Sequence, residues 1–142
     1  MFNPSRDQAR DFFFEVWRKE REHLPRTPLE DQAWSIVARH PEYHRILEDS
    51  ARFRDHDWTP EQGETNPFLH LSLHLAIREQ IGIDQPPGLR ALWQGLVQGG
   101  MAEHDVEHRL IDALAETLWD SQRSGLPLDA AAYLRRARGD IG

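Results

Sequence analysis

The histidines of this 142-residue chain recur at a spacing that suits metal binding. Three pairs have members four residues apart: His40 and His44, His70 and His74, and His104 and His108. Because the chain has 8 histidines, random placement would give roughly half a pair at that spacing, so three pairs are an excess. Residues four apart on a helix project to the same side, so the two imidazoles of a pair can bind one ion.

The second and third pairs are better placed than the first. Pro41 follows the first member of the first pair, and a proline there breaks the continuous helix that the spacing requires. We therefore discount that pair, and the sequence leaves open whether His44 joins the site. His70 and His74 lie in the most apolar stretch of the sequence and continue the line to Ile77. A buried imidazole tends to be neutral, which is the form that binds metal.

Glu107 lies beside the third pair, inside the apolar arc of the same predicted helix, where a carboxylate needs a partner. The predicted metal site therefore comprises His70, His74, His104 and His108 with Glu107, and Glu107 or Glu103 serves as a ligand, as a group that orients a ligand, or as a general base. Such a set suits zinc, iron, manganese or nickel, and the absence of cysteine weakens the case for copper(I). If one ligand is water, the ion can activate it for hydrolytic or transfer chemistry.

A second interpretation makes the protein a non-catalytic helical adaptor whose histidines are structural. Against it, burying four unpaired imidazoles would cost several hydrogen bonds. The segment Asp55-His56-Asp57 resembles a carboxylate–imidazole relay, but it lies in a loop without a nucleophile and is interpreted as solvated. There is no nucleophile elbow and no phosphate-binding glycine loop, so the sequence leaves open whether the protein is an enzyme.

Composition limits the class of protein. Charged residues make up 29% and hydrophobic residues 39% of the chain, which is typical of a globular protein and, at this length, of a single domain over residues 1–142. The net charge of −7 argues against nucleic-acid binding. No apolar run approaches the ~20 residues of a membrane span, and the start lacks a secretory pattern, so we expect a cytoplasmic location.

Periodicity and capping signals predict an all-α bundle of five to seven helices without a sheet. Thr27-Pro28-Leu29-Glu30 reads as a capping box, Asn66 or Thr65 caps the apolar helix, and Asp129 caps the last helix. The predicted helices cover about 5–24, a short segment from 28, 41–54, 67–82, 89–98, 101–123 and 130–139. Residues 55–64 are predicted to form a loop. The broad apolar stripe of the sixth helix contains both histidines of the third pair and extends to Leu118 and Trp119.

The stretch Asn66-Pro67-Phe68-Leu69-His70-Leu71-Ser72-Leu73-His74-Leu75-Ala76-Ile77, with Gln80 and Asp84-Gln85-Pro86 after it, resembles a bacterial family catalogued as domain of unknown function 1841. Asn3-Pro4-Ser5-Arg6, Glu107-His108 and Leu118-Trp119 also fit that family, so the resemblance covers nearly the whole chain. It implies an all-helical, cytosolic, bacterial protein and supplies no activity.

Overall fold

The computed structural model describes residues 5–59 and 66–139, and every regular element in them is helical. This confirms the predicted all-α fold class. The α-helices are α1 (Arg6–Arg21), α2 (Pro28–Val37), α3 (His44–Leu47), α4 (Ser50–Phe53), α5 (Pro67–Ile83), α6 (Leu89–Gln98), α7 (Glu103–Ser124) and α8 (Ala130–Arg138). A 3-10 turn at Pro41–Tyr43 precedes α3. No helix among the described residues is long and apolar enough to cross a membrane.

The helix starts follow the predicted capping signals. The hydroxyl of Thr27 accepts from the backbone N–H of Glu30, and the Glu30 carboxylate accepts from the backbone N–H of Thr27, which completes a capping box. Asn66 Oδ1 accepts from the N–H groups of Phe68 and Leu69 at the start of α5. Asp129 caps α8 in the same way. The alternative cap of α5, Thr65, lies outside the described residues.

The predicted helix over 41–54 is divided into the 3-10 turn, α3 and α4, which raises the number of α-helices to eight in the described part of the chain. The division between α3 and α4 falls at Asp49, whose side chain accepts from the backbone N–H of Arg52 at 3.3 Å. A carboxylate that caps α4 competes with the continuation of α3. The periodic pattern does not include this competition, so it predicts one helix that is too long.

The chain divides into two compact units, Met1–Leu75 and Ala76–Gly142, and the boundary lies within α5. The core of the first unit joins side chains of α1, α2, α3, α4 and the start of α5. Its buried members are Phe13, Val16, Trp17, Ala33, Ile36, Val37, Ile46, Leu47, Phe53, Phe68, Leu71 and Leu75. The first predicted helix extends to about residue 24, but α1 ends at Arg21, and Leu24 beyond it is 40% exposed.

The second unit contains the end of α5 and helices α6, α7 and α8, with α8 packed along α7. The Tyr133 hydroxyl of α8 is buried and donates to Gln80 Oε1 of α5 at 2.7 Å. Burial raises the pKa of this phenol, so it remains a neutral hydrogen-bond donor.

The buried arc of α7 is narrower than the predicted stripe. It is centred on Leu110, Leu114 and Thr117, which recur at the i, i+4, i+7 spacing of one helix face. The prediction that Leu118 and Trp119 belong to it is wrong, since they are 36% and 62% exposed. Trp119 lies about half a turn from the centre of the arc at 100° per residue.

Candidate metal centre

Three imidazoles of the first unit converge on one point. The Nε2 atom of His70 lies 3.2 Å from the Nε2 atom of His40 and 3.2 Å from the Nε2 atom of His74. All three residues offer a ligand atom within 4.8 Å of the others. His40 and His74 are 2% and 1% exposed, and His70 is half-buried. We call this group the histidine cluster.

Two elements of the chain position the histidine cluster. His70 and His74 are one turn apart near the start of α5, whose first residues are fixed by the Asn66 cap. His40 follows the end of α2, where its backbone leaves helical geometry at φ −124° and ψ 62° before Pro41. The break after α2 therefore turns His40 towards α5. His40 and His70 come into contact there, although 30 residues separate them in the sequence.

The tautomer of the neutral His40 ring follows from its hydrogen bond. Its Nδ1 atom lies 2.7 Å from the carbonyl oxygen of Ile36, which can only accept, so Nδ1 carries the proton. In the neutral ring Nε2 then holds a lone pair, and this atom faces His70. In a metal-binding histidine, one ring nitrogen usually donates to a backbone carbonyl or carboxylate and the other coordinates the ion through its lone pair.

The ring of Tyr43 packs against the face of the His40 ring. The two rings are stacked, with centroids 5.4 Å apart and planes 2° from parallel, and the Tyr43 centroid lies 6.2 Å from that of His70. Burial, and then the charge of Glu42, raise the pKa of the Tyr43 phenol above its ordinary value. Tyr43 is therefore neutral near pH 7 and acts on the histidine cluster by packing.

The nitrogen spacing is compatible with tetrahedral coordination. Zinc–nitrogen distances of about 2.0–2.1 Å place two imidazole ligands of a tetrahedral ion about 3.3 Å apart. The two measured Nε2 separations, both 3.2 Å, are close to that value. Among the described residues of the first unit, all the ligand atoms of this site are imidazole nitrogens. Such a set favours zinc, iron, copper or nickel over magnesium, calcium or manganese.

His44 uses its ring for another purpose. Its Nε2 atom donates to the carbonyl oxygen of Val37 at 2.9 Å. The imidazole also packs against two indoles, with centroids 4.8 Å from Trp17 and 6.5 Å from Trp34. This histidine therefore joins the α2–α3 connection to the aromatic core, and the histidine cluster in the first unit forms without it.

The other three predicted site residues belong to α7 in the second unit. His104 and His108 are half-buried and one turn apart, with ring centroids separated by 4.2 Å. Glu107 is buried, as predicted, and both of its carboxylate oxygens accept from the guanidinium of Arg78, at 3.2 and 3.4 Å. The expectation that a carboxylate inside this arc needs a partner is met by this ion pair.

His40 is the functional candidate that sequence reasoning missed. The sequence argument against it is that Pro41 separates it from His44, yet its role does not require a shared helix with His44. A different signal was present, since Ala33, Ile36 and His40 follow the i, i+3, i+7 spacing of the buried face of α2. Read along that face, a histidine at position 40 is directed into the core.

A protein-family model described as "Domain of unknown function (DUF1841)" matches residues 5–139. Neither a curated protein nor a solved structure matched the chain significantly.

Proposed function

The chain belongs to the DUF1841 family, a domain of unknown function, and we propose that it binds a divalent transition-metal ion through the histidine cluster. The observation that supports this most directly is the convergence of three Nε2 atoms, with the His40 tautomer set by the Ile36 carbonyl. Zinc is the ion we favour, because neutral imidazoles and the nitrogen separations both suit it.

The ion would connect the end of α2 to α5. Its ligands come from positions 40, 70 and 74, so binding closes a long loop of the first unit. A metal that binds the folded chain and has no preformed site in the unfolded one stabilises the fold by its binding free energy. We therefore assign the ion a structural role in holding α5 against the end of α2.

For the remaining coordination position we propose an imidazole of α7, His104 or His108, with Glu107 between them in the sequence, on the basis of the sequence pattern. A fourth imidazole would close a tetrahedral site, as is typical of structural zinc. Glu107 would then act through Arg78, with which it is paired, rather than as a direct ligand. A single domain, a cytoplasmic location and a bacterial source likewise remain proposals, and they rest on composition and on the family resemblance.

A metal-dependent hydrolase or transferase is the second candidate. The observation in its favour is that His70 is only half-buried, whereas His40 and His74 are buried. The histidine cluster is therefore more accessible on the side of His70. Three protein ligands and one water make a catalytic zinc site. Ester hydrolysis by the zinc-loaded protein that exceeds the rate with free zinc, and that is lost in His74→Ala, would support this candidate over the structural one.

The test of metal binding is a zinc titration of tag-free protein against a chromophoric chelator. We expect one tight site in the wild type and at least about 100-fold weaker binding in His70→Ala and His74→Ala. His23→Asn is the matched control, because His23 is exposed in the turn after α1 and should bind no structural ion. Equal zinc affinity in all four proteins would show that the histidine cluster is a packing feature of an adaptor.

A second titration tests the ligand proposed from the sequence. Either His104→Ala or His108→Ala should lower zinc affinity, and cobalt(II) substituted into the wild type should give the intense visible bands of a tetrahedral site. Unchanged affinity in both variants would remove the histidines of α7 from the ligand set and leave the three ligands of the first unit.

A further inference from the structure

A cavity of about 720 Å³ lies in the first unit, lined by α1, α3 and α4. Its volume falls within the range of about 300–1,000 Å³ that is typical of small-molecule sites. Phe14, Trp17 and Leu47 supply its apolar wall, and none of its lining residues belongs to the histidine cluster. The metal proposal therefore leaves it without a role.

Most charged groups at the mouth of this cavity are held by strong pairs. Arg54 binds both oxygens of Asp11, at 2.7 and 3.0 Å, and this pairing lowers the pKa of the carboxyl group. Arg18 pairs with Glu15 and also donates to Glu22 at 2.9 Å. These four side chains are therefore already engaged with partners in their own group.

The pair between Arg21 and Glu48 is different. The nearest nitrogen and oxygen are 3.6 Å apart, beyond hydrogen-bond length, and the side chains are 64% and 51% exposed. The Arg21 guanidinium also lies over the indole of Trp17, 5.6 Å from the ring centroid. Arg21 and Glu48 are therefore only loosely paired, and each can bind a ligand group in place of the other.

We propose that this cavity binds a small zwitterion with an apolar body, of the class of aromatic α-amino acids. The ligand carboxylate would pair with Arg21, its ammonium group with Glu48, and its ring would pack against the apolar wall at Phe14, which is half-buried. A purely anionic ligand would be repelled by Glu48, and a purely cationic one by Arg21. A zwitterion satisfies both groups while its ring covers the apolar wall.

The test is isothermal titration calorimetry of the full chain with L-phenylalanine, 3-phenylpropionate and phenethylamine. The last two probes keep the ring and lose the ammonium and the carboxylate group respectively. We expect L-phenylalanine to bind with a Kd of about 1 mM or tighter, and each single-charge analogue to bind at least about fivefold more weakly. Because this series uses only the wild-type protein, it does not depend on the folding of any variant.

Arg21→Gln and Glu48→Gln should each weaken L-phenylalanine binding about tenfold. Arg45→Gln is the control, since the Arg45 guanidinium lies over Phe53 and does not line the cavity. No saturable binding up to about 10 mM, equal binding of all three probes, or unchanged binding in both cavity variants would overturn the proposal.

Discussion

The Nε2 atoms of His40 and His70 lie 3.2 Å apart, although 30 residues separate them in the chain. The His74 Nε2 atom is also 3.2 Å from that of His70. An imidazole nitrogen carries either a proton or a lone pair, so one His70 N–H can be aligned well with only one of these two neighbours. An ion that accepts lone pairs from all three nitrogens satisfies the whole arrangement.

Removing His40 should abolish tight zinc binding. In His40→Ala we expect at least about 100-fold lower affinity, because the ligand from the end of α2 is lost while both ligands on α5 remain. Chelator competition measures this, with His44→Ala as a comparison, since His44 donates to Val37 instead. If His40→Ala binds zinc as tightly as the wild type, the ion is not held at the histidine cluster.

Tyr43 should influence zinc affinity through its ring and not through its hydroxyl. Tyr43→Phe keeps the face that stacks on His40 and should change the affinity by less than about threefold. Tyr43→Ala removes that face and should weaken binding about tenfold, because the imidazole is freer to turn. Both variants are compared by zinc competition and by the melting temperature without metal. Equal affinity in the two variants would contradict a positioning role.

The buried pair between Arg78 and Glu107 should contribute to the stability of the second unit. Arg78→Ala removes a donor from a buried carboxylate, and we expect the free energy of unfolding to fall by about 3 kcal/mol. The double variant Arg78→Met with Glu107→Leu should recover much of that loss, since it buries no charge. Urea unfolding measures both variants, and a loss below about 0.5 kcal/mol in the single variant would count against this assignment.

Glu107→Gln is the separate test of Glu107 as a metal ligand. If this carboxylate serves the ion pair, the variant should lose stability while its zinc affinity stays within about threefold of the wild type. A large loss of zinc affinity without a loss of stability would instead make Glu107 a ligand.

The capping box of α2 should give a pH-dependent contribution to stability. The backbone N–H of Thr27, followed by Lys19, holds the pKa of Glu30 below its ordinary value. Since the folded pKa is the lower one, the contribution is complete above the unfolded carboxyl pKa of about 4.3 and is lost as the pH falls through the folded value. Glu30→Gln should be about 1 kcal/mol less stable than the wild type at pH 7, and the difference should shrink below about pH 4. A difference that stays constant between these pH values would contradict this.

Much of the fold was predictable because its signals are local. The caps at Thr27 and Asn66 involve residues two to three positions apart, and such contacts can be read from sequence. The break at Asp49 was missed because a side chain competes there with a helix that periodicity favours. Trp119 was misplaced because a broad apolar stripe does not show which of its edges is covered by neighbouring helices.

The candidate site was predictable only where it depends on helical spacing. His70 and His74 are brought together by one turn of α5, which the sequence shows directly. His40 joins them through a tertiary contact, and the proline that argued against it lies at the turn that directs it. Spacing within one helix therefore identified two residues of the histidine cluster, while the third required the tertiary contact between His40, after the end of α2, and His70 of α5.

The metal content of tag-free protein, measured by plasma mass spectrometry after zinc reconstitution and removal of free ion, is the most direct test of the central claim. Metal binding by the histidine cluster predicts about one zinc per chain in the wild type and almost none in the His40→Ala/His74→Ala double variant. A wild-type content below about 0.1 zinc per chain, with no other transition metal in its place, would contradict it.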